Sequence, residues 1–246
     1  MIVYTKMKTF ANISIIIPAR NEEKVIIKTL ESLKRKVNTS HEVIVIDDCS
    51  SDQTQKVVSA YIKNNHNVNL VKTVNGKSGF SNAIKKGMKK AKTNTIVIVM
   101  ADLCDDHKTI DKMYKLINEG WDVVCGSRYM ENGNKLGGPR LQGILSPLVC
   151  KTLYYLTGIP TKDASNAFKM YRKNPLNNLN FSADSGVELS MYLILQAFFK
   201  GYKITEIPTK WKGRTIGVSK FKFIERAPRF IKIYTWALMT SFRKFI

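Results

Sequence analysis

Between residues 13 and 125 short β-branched runs alternate with longer stretches of helical period, and this alternation restricts the possible folds more than any other feature of the chain. Ile13 to Ile17 reads ISIII and is stopped by Pro18; Val43 to Ile46, Val68 to Val71, Ile96 to Met100 and Asp122 to Cys125 repeat the pattern. Between them, Glu22 to Lys36 places Val25, Ile26, Thr29, Leu30 and Leu33 at helical spacing, and segments 52–62, 79–91 and 108–118 read the same way. Continuous rather than alternating apolar runs belong to strands covered on both faces. Strand–helix repetition through short connections predicts an α/β fold with a parallel sheet and right-handed crossovers.

After Cys125 the pattern changes. Residues 128–140 are rich in Gly and Asn, a connection long enough to be a functional loop. Helices are expected at Leu141 to Leu156 and Val187 to Phe199, and strands at Ala167 to Tyr171 and Lys203 to Ile207. Lys222 to Ile246 reads as a long basic amphipathic helix interrupted near Pro228. Neither an internal repeat nor a separate linker is present, so the expected organisation is one domain over 1–221 with a helical extension over 222–246.

Lys and Arg number 40 against 19 Asp and Glu, a formal charge of +21, which calls for an anionic partner: nucleic acid, a phosphorylated substrate or an acidic membrane. Twelve of those cations, against Glu206 and Glu225, lie from Lys200 onward. The 44% apolar content excludes disorder. No helix-turn-helix, RRM, KH or zinc-finger signature supports nucleic-acid binding, which is kept only as a competing reading. Cys49, Cys104, Cys125 and Cys150 form no Cys-x-x-Cys pair and read as reduced thiols of a cytosolic protein. The N-terminus lacks an apolar leader, and Ile233 to Phe242 falls well short of the ~20 residues that cross a bilayer.

In an open parallel sheet, ligands bind outside the carboxyl ends of the strands. Those ends are followed by Pro18-Ala19-Arg20-Asn21-Glu22, by Asp47 to Asp52, by Ala101 to Asp106 and by Gly126-Ser127-Arg128-Tyr129. Asp52 and Asp106 also suit helix N-caps. Acidic groups gathered at one edge suit a hard divalent cation bridging to phosphates, and another carboxylate nearby suits a ribose. With neither Gly-x-Gly-x-x-Gly nor a phosphate-binding P-loop present, the pattern asks for a nucleoside diphosphate with its metal. Gly79 to Ala83, after the third strand, is too short to interpret.

The segments IIIPARNEE, VIVIDDCSSDQT, GKSGFSNAIKKGMKKA, MADLCDD and VCGSRY resemble the successive signatures of family 2 glycosyltransferases with the GT-A fold. DASNAFKMYRK, Glu188 and EIPTKWKGRTIGVSKFK further resemble the dolichol-phosphate mannosyltransferases and their bacterial polyprenyl-phosphate relatives, in order from about residue 13 to residue 225. The resemblance implies a mostly parallel GT-A catalytic domain over 1–221. It places Pro18, Arg20, Glu22 and Asp48 around the donor's base and ribose. Asp102 matches the second acid of the Asp-x-Asp element, with Met100 where the first is expected and Cys104 at a position often held by a harder ligand. Asp105 or Asp106 is expected to assist Asp102 in holding Mg²⁺ or Mn²⁺. Arg128, Ser146, Arg214 and Lys220 match acceptor-phosphate positions, with Asp102, Arg128 and Arg214 the residues implied in catalysis. Arg140 is about two residues out of register with another phosphate-binding arginine.

The implied reaction is inverting transfer of a mannose- or glucose-type hexose from a GDP- or UDP-sugar to a polyprenyl phosphate. Residues 222–246 would rest on an anionic membrane at its cytoplasmic face. A competing reading keeps the fold and replaces the lipid by a sugar acceptor.

Overall fold

The computed structural model describes residues 11–73, 78–181, 186–217 and 223–243, with the side chains of 223 and 224 outside that description, and in it the apolar runs become a central sheet. β1 (Ile13–Ala19) pairs in parallel with β2 (His41–Asp47) and with β4 (Thr95–Ile98), and β3 (Val68–Lys72) adds in parallel outside β2. β5 (Val123–Ser127) and β8 (Ile204–Pro208) form a second parallel pair. Between the two groups lies β7 (Lys169–Arg172), antiparallel to both β4 and β5, so that the order is β3-β2-β1-β4-β7-β5-β8. The mostly parallel sheet is as expected; its single reversed strand is not. Because β7 runs backwards, residues 163–168 ahead of it arrive at the edge where the parallel strands leave.

Alternation along each strand divides the core into two. Ile13, Ile15 and Ile17 pack with α1 (Ile26–Lys36), α2 (Thr54–Ile62) and α4 (Thr109–Asn118), whereas Ile16, Ile44 and Ile46 face the other layer. That layer holds α3 (Phe80–Lys90), α5 (Arg140–Thr157), the short α6 (Lys173–Asn177), α7 (Leu189–Phe199) and α8 (Phe223–Phe242). Burying each such isoleucine is worth about 2 kcal/mol. A Cβ on Gly87 would lie 2.5 Å from Ile16 Cγ2, so glycine is what lets α3 settle on β1.

The break expected near Pro228 does not occur. α8 runs through it, because its face is held by packing: Trp236 stacks edge-on against Tyr192 (5.3 Å) and Phe199 (5.5 Å), Ala237 is fully buried, and Tyr234 donates to Thr152 Oγ1 at 3.1 Å. Such packing offsets the ~3 kcal/mol a helical proline costs. The division expected at 221/222 lies outside the described residues. In the long connection after β5, β6 (Asn134–Leu136) forms a parallel two-stranded ribbon with β9 (Lys210–Lys212).

Candidate active site

The strand order reverses between β1 and β4, and the loops leaving β1, β2 and β4 each contain a non-glycine residue in the left-handed region: Asn21 (φ 52°), Cys49 (φ 55°) and Leu103 (φ 61°). These strained turns are fixed by cross-bonding. Asn21 Oδ1 accepts from Ser51 N–H at 2.7 Å, Ser50 Oγ accepts from Asn21 N–H at 2.9 Å, and Thr54 Oγ1 accepts from Glu22 N–H at 2.7 Å. Asp52 accepts from Thr54 N–H at 2.9 Å and so braces the turn ahead of α2, but the N-cap position expected of it falls on Gln53.

Of the residues expected around the donor's base and ribose, Pro18 is buried within β1 and Arg20 is exposed just past its end. Asp48 accepts from Gly79 N–H through both oxygens (3.0 and 2.9 Å) and lies 3.2 Å from Thr73 Oγ1, so it anchors the start of α3. Gly79, at φ 129°, is required for that approach, which gives the uninterpreted Gly79 to Ala83 segment its meaning. Glu22 is drawn instead to Arg214, whose two terminal nitrogens donate to its two oxygens at 2.8 Å each.

Arg214 is also 3.6 Å from Asp102 Oδ2, and backbone bonds explain how residues so distant in sequence meet. Lys212 N–H donates to Cys104 O (3.0 Å), Asp106 N–H to Lys210 O (3.1 Å) and Gly213 N–H to Leu136 O (2.7 Å), so β9 is zipped between the loop after β4 and β6. Burial opposes the Arg214 charge, but the Glu22 hydrogen bonds and the charges of Glu22 and Asp102 hold its pKa above the ordinary arginine value.

The three acids expected to share a metal do not converge. Asp102 faces the site. Asp105 is buried, lies 3.3 Å from Met100 N–H, and is pushed up to about 7 by burial and then by Asp102. Asp106 accepts from Lys108 N–H at 3.3 Å just ahead of α4, but the N-cap position is Lys108 and no side chain caps the helix, so the N-cap expected of Asp106 is not formed. Among the described residues no group of three His, Cys, Asp or Glu side chains could hold an ion. Burial and then Asp102 push the Cys104 thiol well up, so it stays protonated. What fits is a cation held by one carboxylate, Asp102, and completed by substrate phosphates and water, as Mg²⁺ commonly is.

A second cluster lies at the ends of β5 and β7. Arg128 donates from Nε to Asp163 Oδ2 (2.7 Å) and from Nη2 to Asp163 Oδ1 (2.8 Å) and Ser165 Oγ (3.1 Å). Burial works against this guanidinium, and Asp163 more than compensates, raising its pKa. Ser146 on α5 accepts from Tyr129 at 3.0 Å and meets Ser165 Oγ at 3.1 Å. Beneath them Lys169, fully buried, donates to the carbonyls of Ala164 (3.0 Å) and Asn166 and so fixes the turn that carries Asp163. Asp163, Ser165 and Lys169 were given no role from sequence. The signal was present in DASNAFK, a polar turn directly ahead of a strand.

One cavity of about 980 Å³ joins both clusters. Asp102, Arg128, Ser146 and Arg214 line one end, and the other runs along α5 and α8 past Leu145, Val149, Phe230 and Tyr234. Pro18, Arg20, Glu22, Asp48, Asp105 and Asp106 are not among its lining residues. Arg140 is exposed at the start of α5, and Lys220 lies outside the described residues.

Residues 14–179, two-thirds of the chain, match the family described as Glycosyl transferase family 2. The chain is a family 2 glycosyltransferase. This glycosyltransferase is 25% identical over 217 residues to a dolichol-phosphate mannosyltransferase of Pyrococcus furiosus, covering 85% of this chain and 59% of the relative. It is 24% identical to a dolichyl-phosphate hexose transferase of Haloferax volcanii (84% and 85%), and 25% identical to an undecaprenyl-phosphate 4-deoxy-4-formamido-L-arabinose transferase of Proteus mirabilis (89% and 66%). It thus spans under two-thirds of the length of the first and third of these. Among solved structures, glucosyl-3-phosphoglycerate synthase of Mycobacterium tuberculosis, with Mn²⁺, UDP and glucosyl-3-phosphoglycerate, superposes with TM-score 0.70 at 18% identity, over 94% of this chain and 80% of that one. S. aureus TarS 1–349 gives 0.65 at 20% identity, over 94% and 66%. These likenesses establish the GT-A fold of the glycosyltransferase.

Proposed function

We propose that the chain transfers a hexose, with inversion, from a nucleoside diphosphate sugar to a polyprenyl phosphate. The observation that supports this is the cavity, which is charged at the end of Asp102, Arg128 and Arg214 and apolar along α5 and α8. A sugar acceptor has no use for the apolar end; a prenyl chain fills it. The relatives named for dolichyl and undecaprenyl phosphates point the same way.

A phosphate monoester is already anionic at neutral pH, its second pKa being about 6, so the acceptor requires no general base. Its oxygen attacks the anomeric carbon while the bond from that carbon to the donor phosphate breaks, and the nucleoside diphosphate leaves with the electron pair. Arg214, held by Glu22, and Arg128, held by Asp163, stand ready to orient phosphates and offset charge that grows on the leaving group. A divalent cation bound at Asp102 would neutralise charge on the donor pyrophosphate. Solved fold relatives carry Mn²⁺ or Mg²⁺.

Ile144 and Leu148 of α5 and Ile231 and Met239 of α8 are all more than half exposed, and Leu148 and Ile231 also line the cavity. The apolar end thus opens on an apolar face, flanked by the cations of α8, that suits the surface of an anionic leaflet. No helix among the described residues is long and apolar enough to cross a membrane. Incubation with GDP- and UDP-linked mannose or glucose and a short prenyl phosphate tests the reading: a prenyl-phosphate hexose is expected. Transfer to sugar acceptors alone would replace it with the polysaccharide reading.

A further inference from the structure

The two arginines at the charged end of the cavity already have counter-charges. Arg128 is matched by Asp163, and Arg214 by Glu22 with Asp102 beside it. Their charge is thus partly offset, and a further cation among the described residues would add to what they offer an incoming phosphate. Lys212 and Arg140 are exposed. Lys135 is different. Its ammonium is screened from solvent and has no hydrogen-bond acceptor, a condition that costs free energy until an anion arrives.

Local structure sets this cation in place. The turn after Arg128 is tight: Gly133 N–H donates to Met130 O at 3.1 Å, and a Cβ on Gly133 would lie 2.6 Å from Ser127 O. The chain therefore returns beside Arg128, and β6 starts there. β6 pairs with β9, which sets Lys135 opposite Trp211, and the Lys135 Nζ sits 5.6 Å from the Trp211 ring centroid. Trp211 lines the cavity, as do Leu136, Gly137 and Gly138, which follow Lys135 in the chain; Lys135 itself is not among the lining residues, so its ammonium reaches a phosphate only by turning past the Trp211 ring. The ammonium also lies within the field of Arg128 and Asp163; burial first, then Arg128, pushes it below the ordinary lysine value.

We propose that Lys135, held against Trp211 on the β6–β9 ribbon, is a ligand for the acceptor's phosphate monoester and adds its positive charge to those of Arg128 and Arg214. This rests on the acceptor reading above. A contact made equally in the ground and transition states raises KM on removal and leaves kcat in place.

The test compares wild type, Lys135→Met and Lys135→Arg, using farnesyl phosphate as acceptor and calorimetric titration of farnesyl phosphate, GDP and UDP with MgCl₂. In Lys135→Met, KM and Kd for farnesyl phosphate are expected to rise at least about tenfold, the loss of one charge-assisted hydrogen bond. In the same variant kcat and nucleotide affinity stay within about twofold, and Lys135→Arg recovers most of the loss. Unchanged farnesyl phosphate affinity in Lys135→Met overturns the proposal, and so does a loss confined to GDP or UDP, which would give Lys135 to the donor pyrophosphate. If wild type binds farnesyl phosphate but transfers nothing to it, the acceptor reading fails while the titration still decides Lys135. If wild type does not bind it, both fail. Should Lys135→Met not fold, Lys135→Gln takes its place against Lys135→Arg.

Discussion

Arg214 and Glu22 are 192 residues apart in the chain, and the guanidinium of one grips both carboxylate oxygens of the other at 2.8 Å. The pair closes the loop after β1 onto the segment after β9 and holds Arg214 beside Asp102. A lysine keeps the charge but cannot make the fork. Arg214→Lys is therefore expected to lower kcat/KM at least about tenfold, with the melting temperature within a few degrees of wild type; steady-state kinetics and thermal denaturation check it. Wild-type kinetics in this variant would remove Arg214 from the reaction.

Asp163 is completely buried and its partner Arg128 nearly so. Removing one member of such a pair leaves an uncompensated charge, so Asp163→Ala should destabilise by about 3–5 kcal/mol in urea unfolding. The double variant Arg128→Leu/Asp163→Leu should regain most of that stability and remain inactive, which separates the fold from the chemistry.

His107 is fully buried, with Nδ1 3.0 Å from Ser32 Oγ, and burial, then Lys36, lowers its pKa from 6.5 to about 4. Between those two values the unfolded chain binds a proton that the folded one refuses. Stability is therefore lost as pH falls from 6.5 toward 4, on the order of 3 kcal/mol from this group alone. Urea melts at pH 7 and pH 4.5 should show a smaller difference for His107→Asn than for wild type.

Ile231 and Met239 are 61% and 58% exposed on α8. Ile231→Glu/Met239→Glu should reduce sedimentation with anionic vesicles at least about tenfold, since each buried apolar side chain is worth about 2 kcal/mol. The melting temperature should hold, because neither residue is in the core. Equal sedimentation would place the membrane contact elsewhere.

Chelation with EDTA should abolish transfer and added Mg²⁺ or Mn²⁺ should restore it. Asp102→Asn should raise the cation concentration for half-maximal rate at least about tenfold if Asp102 holds the cation as proposed, since an amide is a weaker ligand than a carboxylate. Full activity in EDTA would exclude a required cation.

The strands and the loops that carry Glu22, Asp48, Asp102 and Arg128 were legible because burial on both faces writes itself into sequence as β-branched runs. Strand direction does not: Lys169–Arg172 reads as a strand whichever way it runs, so its antiparallel insertion was invisible. Side-chain aim within a loop was equally hidden. Leu103 turns the chain through a left-handed conformation, after which Asp105 points inward and Asp106 to α4, though the string of acids suggested a shared ligand set. Asp163 and Arg128 meet across 35 residues, and no local period reports such a pairing. Pro228 misled for a related reason, since the contacts that carry α8 past it come from α5 and α7.

The pairing of β5 with β8 has a consequence for how the molecule can be divided. The family match ends at residue 179, before β8 begins at Ile204. A fragment cut at that point would leave the outer backbone groups of β5 bare from Val123 to Ser127, an invitation to self-association, and would lack Arg214. The matched stretch is thus shorter than the piece that completes the sheet and carries Arg214, and a fragment meant to keep both should extend through α8.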